Sequence, residues 1–238
     1  MKVDELLKYT QFGINKVLNT SIKMDGFYGT ETAGMEPTFI SFLIDKFIKK
    51  GYIWNDAGNL IGIRLDDTYT NGFTDIGVIT KGREFVAFPM STKPGIGKVL
   101  NPPTVAGVKG VAVMKEGQYI DLYQFNGPWW SGMPFMLQTG PVVAYRDSDL
   151  NTTITRTVEQ SDKDLGYRFS LNFHSYKNSA WSWNLDVLSY LKPDKSYSNL
   201  SEGCQVVKKS VMDLLVPHLR EISSNGLVTY TLLNLLHD

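Results

Sequence analysis

With one cysteine in the chain, covalent chemistry rests on a single sulfur, which stands in Ser201-Glu202-Gly203-Cys204-Gln205. A thiol that only fills a core needs no particular neighbours, whereas a nucleophilic one needs closely held backbone around it. Gly203 permits a positive φ or a close approach to a substrate, and the amides beside it can face a developing oxyanion. A free thiol titrates near about 8.5 and only the thiolate attacks well, so a base is required. His174 is the candidate. It ends Arg168-Phe169-Ser170-Leu171-Asn172-Phe173-His174, whose alternation of apolar and polar residues predicts a β-strand. A lone cysteine is more often a small buried hydrophobe than a nucleophile; the upstream histidine and the Ser-x-Gly-Cys context favour chemistry here.

Other constellations carry less. His174, His218, His237 and Cys204 lack zinc-like spacing, so no metal is expected. Gly95-Ile96-Gly97-Lys98 has Thr92 where a phosphate loop requires its first glycine, so no nucleotide cofactor is expected. Asp66-Asp67 and Asp147-Ser148-Asp149 read as acidic turns before they read as cation sites. Trp129-Trp130 divides between core packing and a wall facing a sugar or peptide.

These groups must be held by two kinds of element. Val3, Leu6, Leu7, Ile14, Val17 and Leu18 share one side of a helix over residues 3–19, with Gly13 as a weak spot. After a turn at Asp25-Gly26-Phe27-Tyr28-Gly29, Pro37 is placed to open a second helix carrying Phe39, Phe42, Leu43, Phe47 and Ile48, closed by Gly51. From residue 58 onward the segments 60–65, 84–90, 110–114, 118–125, 141–145, 151–158 and 168–174 are short and rich in β-formers. They predict a mostly antiparallel sheet or barrel. The glycines and prolines after Met90 predict a long ordered loop, and 177–200 a lid. Residues 210–222 predict a helix disturbed by Pro217, and 226–236 a final strand. The expected class is α+β: a small helical unit over 1–54 and a β-rich domain over 55–238.

In a chain of 238 residues, 42% hydrophobic and 20% charged residues suit a soluble globular protein. Lys+Arg 24 against Asp+Glu 24 gives no field that would favour nucleic acid or an anionic membrane. One cysteine excludes an internal disulfide, and neither a secretory signal nor a membrane span is expected, which suits synthesis in a cytoplasm.

His174 followed by Ser201-Glu202-Gly203-Cys204 resembles the signature of L,D-transpeptidase (YkuD-like) catalytic domains, a histidine and then Ser/Thr-x-Gly-Cys. Phe85-Val86-Ala87-Phe88-Pro89-Met90-Ser91-Thr92-Lys93-Pro94-Gly95 is similar to the strand and Ser-Thr loop early in those domains. Tyr145-Arg146-Asp147, then Asn172-Phe173-His174, then Gly203-Cys204-Gln205 resemble a phage-type branch in the same order. Two departures stand out: Val206 occupies the place of the usual arginine two residues after the cysteine, and Ser175 follows the histidine. The spacing of 30 residues from His174 to Cys204 implies an insertion. Asp25-Gly26-Phe27-Tyr28-Gly29-Thr30-Glu31-Thr32 also resembles the Asp-Gly-x-Phe/Tyr-Gly-x-x-Thr turn of helical peptidoglycan-binding modules, without their Phe-Gln ending.

What the resemblance implies is acyl transfer on peptidoglycan through a thioester. Cys204 is then the nucleophile, His174 the base, and Gly203-Cys204 the oxyanion site, with Ser201 or a backbone carbonyl orienting the imidazole. Arg146, Trp129, Trp130 and Asn172 are the candidate substrate contacts. Water as acceptor gives a hydrolase of phage-lysin type, reaching the wall after release by other phage proteins; an amine gives a transpeptidase. The rival from another class is a non-catalytic virion or wall-binding protein keeping a degenerate fold.

Overall fold

Asp4 caps the first helix by accepting the Leu7 amide (3.0 Å), and α1 runs over Glu5–Leu18. The computed structural model describes residues 4–70, 72–105, 108–126, 135–156, 158–162, 171–176 and 201–236. Helix α2, Thr30–Lys50, ends at Gly51 as expected but begins earlier, leaving Pro37 inside it. Proline removes one helical donor. The turns beyond it hold because Phe39, Ile40, Leu43 and Phe47 bury one face.

The strands are β1 (Asn59–Arg64), β2 (Asp75–Lys81), β3 (Glu84–Met90), β4 (Thr104–Val105), β5 (Val108–Lys109), β6 (Val111–Met114), β7 (Gly117–Asn126), β8 (Phe135–Gln138), β9 (Val143–Asp147), β10 (Glu159–Ser161), β11 (Phe173–Tyr176), β12 (Gln205–Lys208) and β13 (Leu227–Asn234). A short helix α3, Ile96–Leu100, follows β3, and α4, Lys209–Ile222, joins β12 to β13 with Pro217 inside it. Helices and strands together make the α+β class. Eight strands form one sheet in the order β12-β11-β8-β7-β13-β1-β2-β3, parallel at β1/β13 and β11/β12 and otherwise antiparallel. Ser91, just past β3, exchanges backbone hydrogen bonds with Val206 of β12 (2.8 and 2.9 Å), so the two edge strands meet and the sheet closes like a barrel. A smaller sheet, β10-β9-β6, lies beside it.

Residues 151–158 were expected as a strand. Instead Asp149 and Asn151 turn the backbone through side-chain bonds to Asn151 N and Thr153 N, and Thr155 N donates to Asp147, so the segment keeps a single bridge, Thr153 to Thr68, before β10.

Helix α1 rests on β3. Gly13 comes so near Ala87 that an added Cβ would lie 2.5 Å from the Ala87 Cβ, and Ala87 N donates to Thr10 Oγ1 (3.1 Å). Phe39 of α2 stacks on Phe85 at 4.7 Å. The two long N-terminal helices end before residue 54 and the strands begin after it, but Tyr9, Phe12, Leu43, Ile61, Phe88 and Leu232 belong to one continuous core. The Asp25–Thr32 turn is wound around buried Gln11, which donates to Phe27 O and Thr32 Oγ1 and accepts from Gly26 N.

Candidate active site

In a parallel pair, residues in register face the same side of the sheet. Phe173 pairs with Gln205 and His174 with Val206, and Gln205 N donates to Asn172 O (2.9 Å). Cys204 precedes β12, packs against the cluster formed by Phe73 and Val206, and by strand alternation shares the Val206 face. Phe173 and Val207 face the main core on the other side. Cys204 and His174 thus share a face on neighbouring strands, offset by two residues, a diagonal of about 8 Å between Cα atoms at ordinary strand spacing. That separation lies within the reach of a thiol and an imidazole leaning towards each other.

Each partner is fixed from behind. His174 is 6% exposed, and its Nδ1 lies 2.9 Å from the carbonyl oxygen of Ser175. A carbonyl only accepts, so Nδ1 carries the proton and Nε2 keeps its lone pair. Of the two expected orienting groups the backbone carbonyl is the one used. Ser201 instead builds the turn: its Oγ accepts from Gly203 N and donates to Cys204 O, both at 3.1 Å. Gly203 has φ +149°, and a Cβ there would lie 2.0 Å from Ala112 O. Gly95 N donates to Ser201 O and Ala112 N to Glu202 O, tying the turn to the loop after β3 and to β6. From inside the barrel, Gln205 donates to Gly203 O (3.4 Å) and accepts from Tyr230 (2.8 Å).

The expectation for the oxyanion donors changes in detail. Gly203 N is engaged by Ser201 Oγ and Gln205 N by Asn172 O. Cys204 is half-buried, and loss of water pushes its thiol up to about 11, against the opposing pull of hydrogen bonding to the Asn172 backbone. Glu202 raises it further by its charge. Burial also holds His174 below the usual imidazole value, with the Ser175 carbonyl opposing. At neutral pH the two groups are therefore a thiol and a neutral imidazole, not a thiolate–imidazolium pair.

Of the expected substrate contacts, Arg146 and Asn172 lie among the described residues. Arg146 is buried, and its Nη2 donates to the carbonyls of Val108 and Gly110, so the guanidinium holds the chain entering β6. Asp147 accepts from Tyr69 (2.7 Å), which makes Tyr145-Arg146-Asp147 a brace beside the site. Asn172 Oδ1 accepts from Gln138 N (2.9 Å) and joins β11 to β8, leaving its backbone as the part at the sulfur. Trp129, Trp130, His237 and the segment 177–200 lie outside the described residues. His218 sits on α4 in a separate small cleft with Glu221, Lys81 and Phe85.

A buried ionic network escaped the sequence reading. Fully buried Arg64 donates to Glu116 (2.9 Å), to Thr92 Oγ1 and O, and to Met114 O. Asp75 accepts from Thr92 N and Oγ1 and meets Lys93 Nζ at 3.3 Å, and Lys93 also reaches Asp66 (2.7 Å). Arg156 grips Asp67 through both nitrogens and touches Glu116. The network fixes the Ser91–Gly95 loop on which β12 and the Cys204 turn are hung. Acids beside each other at 66–67 carry no sign of their cation partners 27 and 89 residues away.

Among the described residues no three of His, Cys, Asp and Glu are grouped to hold a metal, and no helix is long and apolar enough to cross a membrane. Comparison with protein-family models and with curated protein sequences finds no match.

Proposed function

We propose that the chain is a cysteine acyl-transfer enzyme acting on the stem peptides of peptidoglycan, with hydrolysis as its reaction. The observation that carries this is the shared face of Cys204 and His174, with Nδ1 held by the Ser175 carbonyl so that Nε2 is the basic nitrogen. Nε2 takes the Sγ proton as sulfur bonds to the substrate carbonyl, and the Cys204 amide faces the oxyanion. The imidazolium returns that proton to the departing amine, leaving a thioester. Water then attacks, His174 accepts its proton, and breakage of the C–S bond restores the thiol. With the thiol near 11, proton transfer accompanies attack, and binding that displaces water completes the activation.

The substrate class comes from the resemblance of His174, Ser201-Glu202-Gly203-Cys204 and the Asp25–Thr32 turn, the latter proposed as the wall-binding contact. Purified protein incubated with defined muropeptides, its products weighed by mass spectrometry, tests this. Split stems support hydrolysis, new cross-links the transpeptidase alternative, and undiminished activity in Cys204→Ala removes the nucleophile. The protonated thiol favours a second reading, a wall-binding or virion protein with a degenerate site; unchanged muropeptides with retained sacculus binding would establish it.

A further inference from the structure

We infer that Gln205, held by Tyr230, is the positioning residue of the nucleophile turn: it sets the plane of the Gly203–Cys204 peptide, and with it the direction in which the Cys204 amide meets an oxyanion. Gln205 is fully buried on β12 and pairs with Phe173, so its side chain enters the barrel on the side away from Val206. There its Nε2 donates to Gly203 O (3.4 Å) and its Oε1 accepts from Tyr230 (2.8 Å). A carbonyl only accepts, so the Gln205 amide must turn its nitrogen to Gly203, and its oxygen then requires a donor. Fully buried Tyr230 is that donor, and its hydroxyl fixes which way round the amide sits.

Room for this relay is cut into β1. Gly62 lies within that strand, between Gly77 of β2 and Leu232 of β13, and a Cβ there would lie 2.0 Å from the Tyr230 hydroxyl oxygen. A glycine inside a strand weakens it and marks a close approach, here that of the hydroxyl. At the far end Ser201 Oγ accepts from Gly203 N, so both polar groups of Gly203 are held, one from the turn and one from the barrel. The Gly203–Cys204 peptide is trans, which sets its N–H opposite its C=O. Drawing the carbonyl towards Gln205 therefore heads the Cys204 amide out of the barrel, to the side on which the sulfur lies. An N–H that donates to an oxyanion makes the carbonyl of its own peptide a better acceptor, so the long bond from Gln205 tightens as charge develops.

This rests on Cys204 as the nucleophile of the proposed reaction, and the test keeps the two ideas apart. Cys204 in the full chain is treated with para-nitrophenyl acetate, whose carbonyl oxygen gains charge as sulfur adds and nitrophenolate leaves, and with iodoacetamide, which loses iodide without forming an oxyanion. The ratio of S-acetylation to S-alkylation, each mapped to Cys204 by mass, cancels the access and ionisation of the thiol. It is expected to fall about tenfold in Gln205→Met, short of the ~10²–10³ lost with a whole oxyanion donor, and about threefold in Tyr230→Phe, which removes a single oxygen. Gln205→Met alone strands the Tyr230 hydroxyl and should lower the urea midpoint; the double variant removes both partners and should restore the midpoint but not the ratio. A ratio unmoved in the variants, or one that recovers with the midpoint, overturns the assignment, as does a wild type that is not S-acetylated. Muropeptide cleavage beside an unmoved ratio removes the positioning role alone. A lowered ratio without muropeptide cleavage keeps that role and removes the peptidoglycan reading.

Discussion

Replacing Gly203 by alanine probes the nucleophile turn through a single added atom. The new Cβ would lie 2.0 Å from Ala112 O, 3.0 Å from Ala112 C and 2.7 Å from Leu171 Cδ2. Leucine can rotate away. The Ala112 carbonyl cannot, because β6 is paired with β9 and Ala112 N is bonded to Glu202 O (2.9 Å). Relief requires the turn to lift off β6 and lose that bond. Holding alanine at φ +149° costs about 1–3 kcal/mol, overpacking about 1–3 kcal/mol and the lost hydrogen bond about 1 kcal/mol, so about 3–7 kcal/mol in all is expected. Against a total stability of about 5–15 kcal/mol this is a large loss. Urea unfolding of Gly203→Ala and wild type, with Gly34→Ala as control, measures it. Gly34 has no atom within 4 Å of an added Cβ and lies in α2, so its replacement should be neutral or stabilising. Equal stability of Gly203→Ala and wild type would refute the turn geometry.

Three further outcomes follow from the same contacts. Alkylation of Cys204 by a neutral reagent should keep rising with pH towards about 11, and Glu202→Gln should move the profile to lower pH; a wild-type plateau reached below pH 8 would contradict the burial of the thiol. Ser201→Ala leaves the buried Gly203 amide without its acceptor and should cost about 1–3 kcal/mol in urea unfolding. Glu116, which burial alone would raise, is brought down to about 2 by Arg64 and by hydrogen bonds from Asn234 and Arg156. A carboxyl with a depressed folded value stabilises above its ordinary value of 4.5 and loses that contribution as pH falls towards 2, so midpoints measured over that window should drop, and drop less in Glu116→Gln. At neutral pH the same variant should be about 3 kcal/mol less stable, since Arg64 is then buried without its counter-charge.

Periodicity made much of this fold legible. The stripe of Leu6, Ile14 and Val17 became α1, Gly51 closed α2, and 84–90 became β3. Strand β2 escaped because all but its last residue are buried, so it shows no alternation and carries Gly77 in its middle. Strand β12 is four residues long, and its pairing with β11 and with Ser91 is long-range. For the site, Ser-x-Gly-Cys announced a tight turn, and the positive φ of Gly203 is its physical content. Arg146 was drawn to the site by the fork of its guanidinium and by its place in Tyr145-Arg146-Asp147, while its Nη2 donates to carbonyls that sequence does not locate. Arg64 had no signal, since an arginine ending an apolar strand looks solvated until Glu116 and Thr92 are folded against it.

The nucleophile is tested most directly by weighing the intact protein after brief mixing with a defined stem peptide and acid quench. A mass increase equal to the acyl fragment, mapping to the peptide that contains Cys204 and absent from Cys204→Ala, is the expected result. Cleavage of the peptide without any adduct on Cys204, and at the same rate in Cys204→Ala, would contradict it.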